Sequence, residues 1–339
     1  MKKIIGALYM PKILMIATGG TIASKPTPSG LAPMITSEEI LSLIPDVSKF
    51  CDVDTYPLFN LDSTNVSPIH WIQIARCIEQ HYDSYDGFVI THGTDTMAYT
   101  AAALSYMIQN SRKPIVITGS QKSIFEENTD AKLNLINAFI FAADNESHSV
   151  HIVFNGKAII GTRARKVRTK SYNAFSSIDF PYTAVIRDQK IIRYIKDIPY
   201  ASKPSYYYSL NERVFLLKLI PGLKADIFSY LKDHYDVIIL EGFGVGGIPV
   251  YEESSYLDSM KDWIASGKLI VMTTQVPYEG SDMEVYQVGY QAKKDYHVLE
   301  AYNMTLEATV TKLMWILGQT SDKKEIRRLF CEPICYDLI

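Results

Sequence analysis

The sequence has few cysteines, no long uninterrupted apolar run and almost no excess of charge. Of its four cysteines only Cys331 and Cys335 lie close together, as a C-x3-C pair without a second Cys/His pair nearby. That spacing does not complete a tetrahedral zinc site, so we predict no metal and expect thiols in a reducing compartment. The formal net charge is −3, from 34 basic and 37 acidic residues, which predicts no surface for nucleic acid or anionic membrane.

No stretch is long enough to predict a membrane span. The longest candidate, 4–18, is interrupted by Pro11 and Lys12 and falls short of the ~20 apolar residues that a spanning helix needs. Residues 1–9 resemble a secretion signal only weakly, because their apolar part is very short and no small-x-small cleavage site follows. We interpret them as a short extension and predict a cytoplasmic protein with no membrane partner.

The sequence also lacks the common hydrolase signatures. Neither H-E-x-x-H nor G-x-S-x-G occurs, and of seven histidines only His92 lies in a candidate site loop. Gly242-x-Gly244-x-x-Gly247 formally matches a dinucleotide fingerprint, but its context is wrong. Pro249 follows at once, and Asp262 falls within the next predicted helix. Zinc, serine-hydrolase and dinucleotide-dependent functions are therefore disfavoured.

What the sequence does contain is an alternation of buried-strand and amphipathic-helix patterns. Apolar residues make up 47% and charged residues 21%, which favours a folded globular chain of about two domains. The strand segments lack polar alternation, as expected for parallel strands covered on both faces. The predicted strands are Lys12–Thr18, Gly87–Thr91, Pro114–Thr118, Val150–Phe154, Asp236–Leu240 and Lys268–Thr273. Predicted helices follow the Thr36/Glu39 capping box and cover Ser67–Gln80, Thr96–Gln109, Asp130–Ala143, Ser255–Ser266 and Glu307–Gly318.

This pattern predicts an α/β protein of two doubly wound domains, similar to Rossmann or flavodoxin folds. The larger N-terminal domain, 1–192, should carry a parallel-rich sheet, and the smaller C-terminal α/β domain should span 213–339. Residues 193–212 break the pattern with Pro199, Pro204 and three consecutive tyrosines. We interpret them as a linker.

Small and hydroxyl-bearing residues follow several of the predicted strands. Because ligands bind beyond the carboxyl ends of strands in open α/β sheets, these loops are the predicted working face. Glycine lets backbone N–H groups approach a ligand, and hydroxyls supply donors, acceptors or nucleophiles. The loops are TGGT at 18–21, THGTDT at 91–96, TGSQ at 118–121, EGFGVGG at 241–247 and TTQ at 273–275.

Two threonines in these loops are candidate nucleophiles. Thr21 and Thr94 each follow a glycine, and Asp95 is adjacent to Thr94. A threonine hydroxyl is weakly nucleophilic and needs a base or a charged neighbour. The run Arg163–Lys170 holds five cations in eight positions. A lysine from this run, buried beside Asp95 and Thr94, could act as the base; a solvated basic loop is the plainer interpretation of the run alone.

At this point the sequence resembles a known family, the bacterial-type L-asparaginases, and within it the cytoplasmic type I branch. TGGTI at 18–22 and THGTDT at 91–96 are similar to its two signature segments. The resemblance extends over essentially the whole chain, with further matching segments at 62–65, 85–106, 114–121, 161–175, 244–249 and 305–312. It implies hydrolysis of L-asparagine to L-aspartate and ammonia without metal or organic cofactor.

The resemblance also implies roles for individual residues. Thr21 corresponds to the nucleophile, and Thr94, Asp95 and Lys166 to the second threonine with its aspartate–lysine partners. The resemblance thereby selects Lys166 from the five cations. Ser63 corresponds to a ligand of the substrate α-carboxylate, and Asp95 to a partner of its α-ammonium group. The implied substrate-binding set is Gly20, Asp62, Ser63, Thr64, Gly93, Thr94 and Asp95.

Two positions depart from the family pattern. Many relatives carry a tyrosine in the loop after the first signature, which assists the nucleophile, whereas Leu31 stands at that position in a segment with the composition of a lid. Many also have asparagine at the position of Gly247, where it reaches a neighbouring subunit. The resemblance implies a homodimer or homotetramer with a small-molecule substrate as its partner.

Other functions compete with asparagine hydrolysis. The same chemistry would serve a glutaminase-asparaginase or the amidase subunit of a tRNA-dependent amidotransferase. Such subunits carry an extra N-terminal domain, which we do not expect here because the first signature begins at Thr18. A catalytically inactive amino-acid sensor is disfavoured by the presence of Thr21, Thr94, Asp95 and Lys166 together.

Overall fold

The computed structural model describes residues 9–27, 30–33, 35–196, 203–251 and 255–339. The chain forms two compact units. The first comprises the described residues up to Ser177 together with Pro181–Tyr208, and the second comprises Ile178–Phe180 and Ser209–Ile339. No helix in the described ranges is both long and apolar enough to cross a membrane.

The first unit is built on an eight-stranded mixed sheet and three two-stranded pairings. Its strands are β1 (Lys12–Gly19), β2 (Ser24–Thr27), β3 (Gly30–Pro33), β4 (Asp52–Leu61), β5 (Gly87–Thr91), β6 (Ile108–Gln109), β7 (Ile115–Thr118), β8 (Val150–Phe154), β9 (Lys157–Ile160), β10 (Ala164–Lys166), β11 (Phe175–Ser177), β12 (Ala184–Arg187), β13 (Lys190–Arg193) and β14 (Ser205–Tyr206).

The order of the large sheet is β13-β12-β9-β8-β7-β5-β1-β4. The strands β4, β1, β5, β7 and β8 run parallel, and β9, β12 and β13 extend the sheet by antiparallel pairing. The two-stranded pairings are β2–β3, β10–β11 and β14–β6.

Helices α1 (Ser37–Ser42), α2 (Pro68–His81), α3 (Met97–Met107) and α4 (Ala131–Ala142) belong to the same unit. The capping box predicted at Thr36 is confirmed: the Glu39 N–H donates to Thr36 Oγ1 at 3.2 Å, and the Thr36 N–H donates to Glu39 Oε2 at 2.9 Å. Strand side chains such as Met15 and Val89 pack with Phe139 of α4 in one apolar core. Because this core holds the parallel strands in place, it also holds the loops that follow their carboxyl ends.

The second unit has a four-stranded, fully parallel sheet. Its strands, in sheet order, are β15 (Val214–Lys218), β16 (Val237–Gly242), β17 (Leu269–Thr274) and β18 (Leu299–Glu300). The helices are α5 (Ile227–Leu231), α6 (Tyr256–Ala265), α7 (Gln287–Tyr296), α8 (Leu306–Gln319) and α9 (Lys323–Cys331). The core of the unit joins the strands to α6 through Met260 and Trp263.

The predicted fold class is confirmed: two α/β units, the larger with a parallel-rich sheet. The predicted domain limits at 192 and 213 stay a prediction, and β14 falls within the segment that we expected to be a linker.

The glycine-rich segment after β16 closes a tight turn. The N–H groups of Gly246 and Gly247 both donate to the Phe243 carbonyl, at 2.9 and 2.6 Å. Asp262 lies inside α6. These N–H groups already have a partner, so the dinucleotide interpretation gains no support from this turn.

Candidate functional site

Three strand-end loops of the first unit come into close contact at glycines. Gly20, directly after β1, has φ +85°, and a Cβ on it would lie 2.4 Å from the Gly93 nitrogen. A Cβ on Gly93 would in turn lie 2.6 Å from Ser63 Oγ. Such distances are far below van der Waals contact, so only glycine allows the loops after β1, β5 and β4 to approach this closely.

These loops enclose a small cleft. Thr21 begins a 3-10 turn, Thr21–Ala23, that leads out of β1. Ser24 follows it and is buried; its hydroxyl donates to the Gly20 carbonyl at 2.9 Å, which closes the turn. The cleft is lined by Gly20, Thr21, Ser24, Asp62, Ser63, Gly93, Thr94 and Asp95.

Lys166 connects Thr94 and Asp95. Its Nζ lies 2.8 Å from Thr94 Oγ1 and 2.5 Å from Asp95 Oδ1. Lys166 ends β10 and pairs with Phe175 of β11, and its side chain is 16% exposed, against 57% for Asp95. A mostly enclosed ammonium group between a hydroxyl and a carboxylate is suited to moving a proton at that hydroxyl.

The segment after β4 places two further polar groups at the cleft. Asp62 accepts hydrogen bonds from the N–H and the hydroxyl of Thr64, both at 2.9 Å. Ser63 is buried, and its carbonyl accepts a hydrogen bond from the Thr96 hydroxyl at 2.7 Å. The loops after β4 and β5 are thereby tied together, and Ser63 is fixed against Gly93.

His92 lies beneath the cleft and supports it. It is fully buried; Nδ1 lies 2.7 Å from the Gly93 carbonyl, and Nε2 lies 3.0 Å from the Thr100 hydroxyl. The Gly93 carbonyl can only accept, so the proton of the neutral His92 ring is on Nδ1. Nε2 then accepts from the Thr100 hydroxyl, whose oxygen accepts from Trp71 Nε1 at 3.0 Å. Burial lowers the pKa of His92 to about 4. A neutral imidazole in this network holds the Gly93 carbonyl in place.

Gln121, in the loop after β7, is a site residue that the sequence analysis did not single out. Its Oε1 accepts a hydrogen bond from Thr94 Oγ1 at 3.2 Å, and its Nε2 donates to the Ser171 carbonyl at 3.2 Å. The sequence signal was present, because Gln121 ends one of the strand-end loops. Nothing in the spacing showed that its amide meets Thr94.

The structure brings together most residues of the predicted set. Seven of them line the cleft, and Lys166 contacts two of those seven. Thr64 lies outside the lining and is exposed. Leu31 belongs to β3, and its backbone pairs with Pro26 of β2; its side chain lies outside the described part of the structure. The lining residues with a predicted role are Gly20, Thr21, Asp62, Ser63, Gly93, Thr94 and Asp95.

Other cations of the basic run lie elsewhere. Arg163 is fully buried, and Arg168 Nη1 donates to the Asn173 carbonyl at 3.0 Å. Among the described residues, no cluster of three or more histidine, cysteine, aspartate or glutamate side chains could hold a metal ion. The polar groups that line the cleft are hydroxyls, the carboxylates of Asp62 and Asp95 and the backbone, and Lys166 and Gln121 contact it through Thr94.

Two family models match the sequence. Residues 12–199 match "Asparaginase, N-terminal", and residues 213–330 match "Glutaminase/Asparaginase C-terminal domain". The chain belongs to the asparaginase family. The resemblance inferred from the two signature segments is thus confirmed.

Individual relatives of this asparaginase-family chain agree with that assignment. An L-asparaginase from Thermococcus kodakarensis is 40% identical over 94% of this chain and 96% of the relative. A glutamyl-tRNA(Gln) amidotransferase subunit from Pyrococcus furiosus is 35% identical over 94% of this chain but 75% of the relative.

Solved asparaginase structures share the fold. The thermostable L-asparaginase from Thermococcus kodakarensis superimposes with a TM-score of 0.90 at 39% identity, covering 97% of this chain and 99% of that one. L-asparaginase I from Vibrio cholerae gives a TM-score of 0.87 at 29% identity, covering 98% and 100%. The fold similarity extends over both units of the asparaginase-family chain.

Proposed function

We propose that the protein hydrolyses L-asparagine to L-aspartate and ammonia. The observation that carries the proposal is the contact of Lys166 with both Thr94 and Asp95, at 2.8 and 2.5 Å, at a cleft that Thr21 also lines. A lysine in contact with a hydroxyl can activate that hydroxyl, and amide hydrolysis by a threonine needs an activated hydroxyl. The 40% identity to an L-asparaginase over nearly the full length of both chains supports the choice of substrate.

In the proposed reaction, the Thr21 hydroxyl attacks the side-chain carboxamide carbon of asparagine. A C–O bond forms, and the negative charge that develops on the carboxamide oxygen is stabilised by backbone N–H groups near Gly93 and Thr94. Donors of this kind contribute about 3–4 kcal/mol each to transition-state stabilisation. The C–N bond then breaks, and ammonia leaves with the proton that Thr21 gave up.

Thr94, Asp95 and Lys166 carry the protons. Lys166 exchanges a proton with the Thr94 hydroxyl, and Asp95 holds the lysine in place. Water then attacks the acyl group on Thr21, its proton passes through the same residues, and aspartate is released. A hydroxyl that serves as a proton carrier between lysine and substrate needs the short contact that the structure shows.

The ends of the amino acid would be held by the other lining groups. Ser63 is placed to donate to the α-carboxylate, and Asp95 to accept from the α-ammonium group. Asp62, Gly20 and Gly93 complete the enclosure. Since Thr64 donates twice to Asp62 and is exposed, we place it behind Asp62, where it orients that carboxylate.

A substrate panel tests the proposal. Purified protein should release ammonia from L-asparagine at a rate that tRNA does not change, and its rate on L-glutamine distinguishes an asparaginase from a glutaminase-asparaginase. The tRNA arm addresses the amidotransferase subunits, which are the second candidate because one of them is 35% identical to this chain. Stimulation by tRNA, or silence on asparagine at millimolar concentration, would overturn the assignment, and tight aspartate binding without turnover would indicate a sensor.

We further propose a cytoplasmic homo-oligomer, a dimer or tetramer, that uses no cofactor. The structure of a "Probable Cytoplasmic L-asparaginase" from Campylobacter jejuni, which is 25% identical to this chain with a TM-score of 0.82, supports the location. In the second unit, the segments that follow the four parallel strands each carry an exposed apolar side chain, which a contact between copies would bury. These side chains are Ile220, Val250, Val276 and Tyr302.

A further inference from the structure

The hydroxyl of Thr94 has one proton, and its neighbours determine where that proton points. A threonine hydroxyl donates one hydrogen bond and accepts two. The Lys166 ammonium group can only donate, and it reaches Thr94 Oγ1 at 2.8 Å. Gln121 Oε1 can only accept, and it lies 3.2 Å from the same oxygen. With Lys166 charged, the Thr94 proton therefore points to Gln121.

The orientation of the Gln121 amide is fixed by its other end. Nε2 lies 3.2 Å from the Ser171 carbonyl, which can only accept. Turning the amide over would place the amide oxygen against that carbonyl oxygen and the amide N–H groups against Thr94. The side chain thus bridges Thr94 and the loop that follows Lys166, in one orientation.

The backbone of Gln121 is anchored as firmly as its side chain. Its N–H donates to both oxygens of the buried Asp130 carboxylate, at 3.1 and 3.0 Å. Asp130 also accepts from the Lys122 N–H at 3.1 Å and from Asn134 Nδ2 at 3.1 Å. Asn134 Nδ2 reaches the Gly119 carbonyl as well, at 2.9 Å. A carboxylate with these partners holds the loop after β7 at a fixed distance from Thr94.

We propose that Gln121 is a positioning residue that directs the Thr94 hydroxyl, so that Thr94 presents an acceptor oxygen, and not its proton, to the cleft. This inference rests on the proposed function, in which Thr94 Oγ1 accepts the proton of a hydroxyl in the cleft while its own proton passes to Lys166 in the unprotonated form. Gln121 itself need not touch the substrate. Its effect is on the geometry of the proton carrier, and it should therefore change turnover more than binding.

Two substitutions distinguish a positioning role of Gln121 from a purely structural one. Gln121→Met keeps the side-chain length but removes both polar contacts, so Thr94 can rotate; we expect kcat to fall about 10- to 100-fold while KM stays within about threefold. Gln121→Glu keeps an acceptor for the Thr94 hydroxyl but loses the donor to the Ser171 carbonyl. It should therefore restore part of the kcat that Gln121→Met loses, again with little change in KM.

The matched controls are Gln73→Met and Gln73→Glu, at an exposed position of α2. They should leave kcat and KM as in the wild type. If Gln121→Met lowers kcat less than twofold, or if Gln121→Glu loses as much kcat as Gln121→Met, the inference is wrong while asparagine hydrolysis stands. A fall in kcat together with a rise in KM and a lower thermal stability in both Gln121 variants would also contradict the positioning role, because that pattern is expected of a structural residue.

A second readout does not depend on turnover. The side-chain amide signal of Gln121 in ¹⁵N-labelled protein is identified as the signal that Gln121→Glu removes. It should shift when Thr94→Val removes the hydroxyl that donates to it, and an unchanged signal would overturn the contact. If the wild type releases no ammonia from asparagine, the proposed function fails, and this shift alone decides whether Gln121 holds Thr94.

Discussion

At the scale of single residues, Lys166 is the group on which the proposed chemistry depends most. Lys166→Met removes the ammonium group that exchanges a proton with Thr94 while retaining most of the side-chain volume. We expect kcat/KM for asparagine to fall about 10²- to 10⁴-fold, the usual contribution of a positioned acid–base group. The control is Lys170→Met, an exposed lysine of the same basic run, which should stay within twofold of the wild type. If Lys166→Met and Lys170→Met were equally active, Lys166 would have no part in the mechanism.

His92 gives the protein a specific pH dependence of stability. Its pKa is lowered to about 4 in the folded state, so the unfolded chain binds one more proton between about pH 6.5 and 4. Stability should therefore fall as the pH falls through this window, by about 2 kcal/mol between pH 7 and 5 from His92 alone.

Chemical denaturation of the wild type and of His92→Asn at pH 7 and pH 5 measures this contribution. The variant keeps a donor for the Gly93 carbonyl but has no group that titrates. The loss of stability on acidification should be smaller in the variant by about the amount assigned to His92. Identical losses in the two proteins would mean that His92 is not held neutral.

At the scale of loops and strands, the glycine contacts set the width of the cleft. Gly20→Ala would place a Cβ 2.4 Å from the Gly93 nitrogen at a φ of +85°. We expect a destabilisation of about 2 kcal/mol or more, with a loss of most asparaginase activity as the loops separate.

Gly222→Ala is the matched control, because Gly222 also has φ +85° but its added Cβ would meet nothing within 4 Å. It should cost only about 1–2 kcal/mol for the backbone conformation and leave activity unchanged. Denaturation curves and ammonia release for both variants distinguish the effect of the steric clash at Gly20 from the effect of backbone strain, which both positions share. If Gly20→Ala behaved like Gly222→Ala, the close approach of the loops would be refuted.

The elements that the sequence predicted are those with a strong burial pattern. β1, β5, β7, β8, β16 and β17 were expected because continuous Val/Ile runs are typical of strands covered on both faces, and all are present. β4 was not predicted: it is an edge strand without a fully buried residue, so it carries no such run. α7 was missed because only Gly289 and Ala292 are buried along it, which leaves no apolar stripe.

The site, like the fold, could be predicted from the sequence only in part. Glycines and hydroxyls at strand ends indicated the cleft, since the topology brings the ends of parallel strands to one edge. The choice of Lys166 among five cations needed the family resemblance, because sequence spacing does not tell which side chain of an irregular segment turns inward. Gln121 and Ser24 entered the site only through the folded loops.

At the scale of the whole molecule, a buried ion pair holds the end of the second unit together. Lys312 Nζ lies 2.8 Å from Asp337 Oδ2, with both side chains fully buried, and it also donates to the carbonyls of Phe330 and Glu332 at 2.9 and 2.8 Å. These contacts join α8 to the C-terminal segment. Removing one partner of such a pair leaves a buried charge without compensation.

Lys312→Met should therefore lower the free energy of unfolding by about 3–5 kcal/mol. The double variant Lys312→Met/Asp337→Leu should be less destabilised than Lys312→Met, because no charge is then left buried alone. Lys324→Met, at an exposed position of α9, is the control and should change stability by less than about 0.5 kcal/mol. A single variant as stable as the control would contradict the burial of the pair.

If copies associate through the second unit, as we propose, the exposed apolar side chains in the segments after its strands lie in the contact. Val250→Asp combined with Val276→Asp should place charges in the contact and reduce the molar mass in solution to that of a single chain. Ile69→Asp, at an exposed position of α2, should leave the mass unchanged. Light scattering after size exclusion decides, and a double variant with the wild-type mass would place the interface elsewhere.

The central claim is threonine-dependent hydrolysis of asparagine, and steady-state ammonia release from L-asparagine tests it most directly. The wild type should turn over, whereas Thr21→Ala and Thr94→Ala should each lose at least about 1,000-fold in kcat/KM while keeping the wild-type unfolding transition. Gln73→Met should match the wild type. A silent wild type, or a threonine variant that retains a tenth of the wild-type activity, would contradict the account.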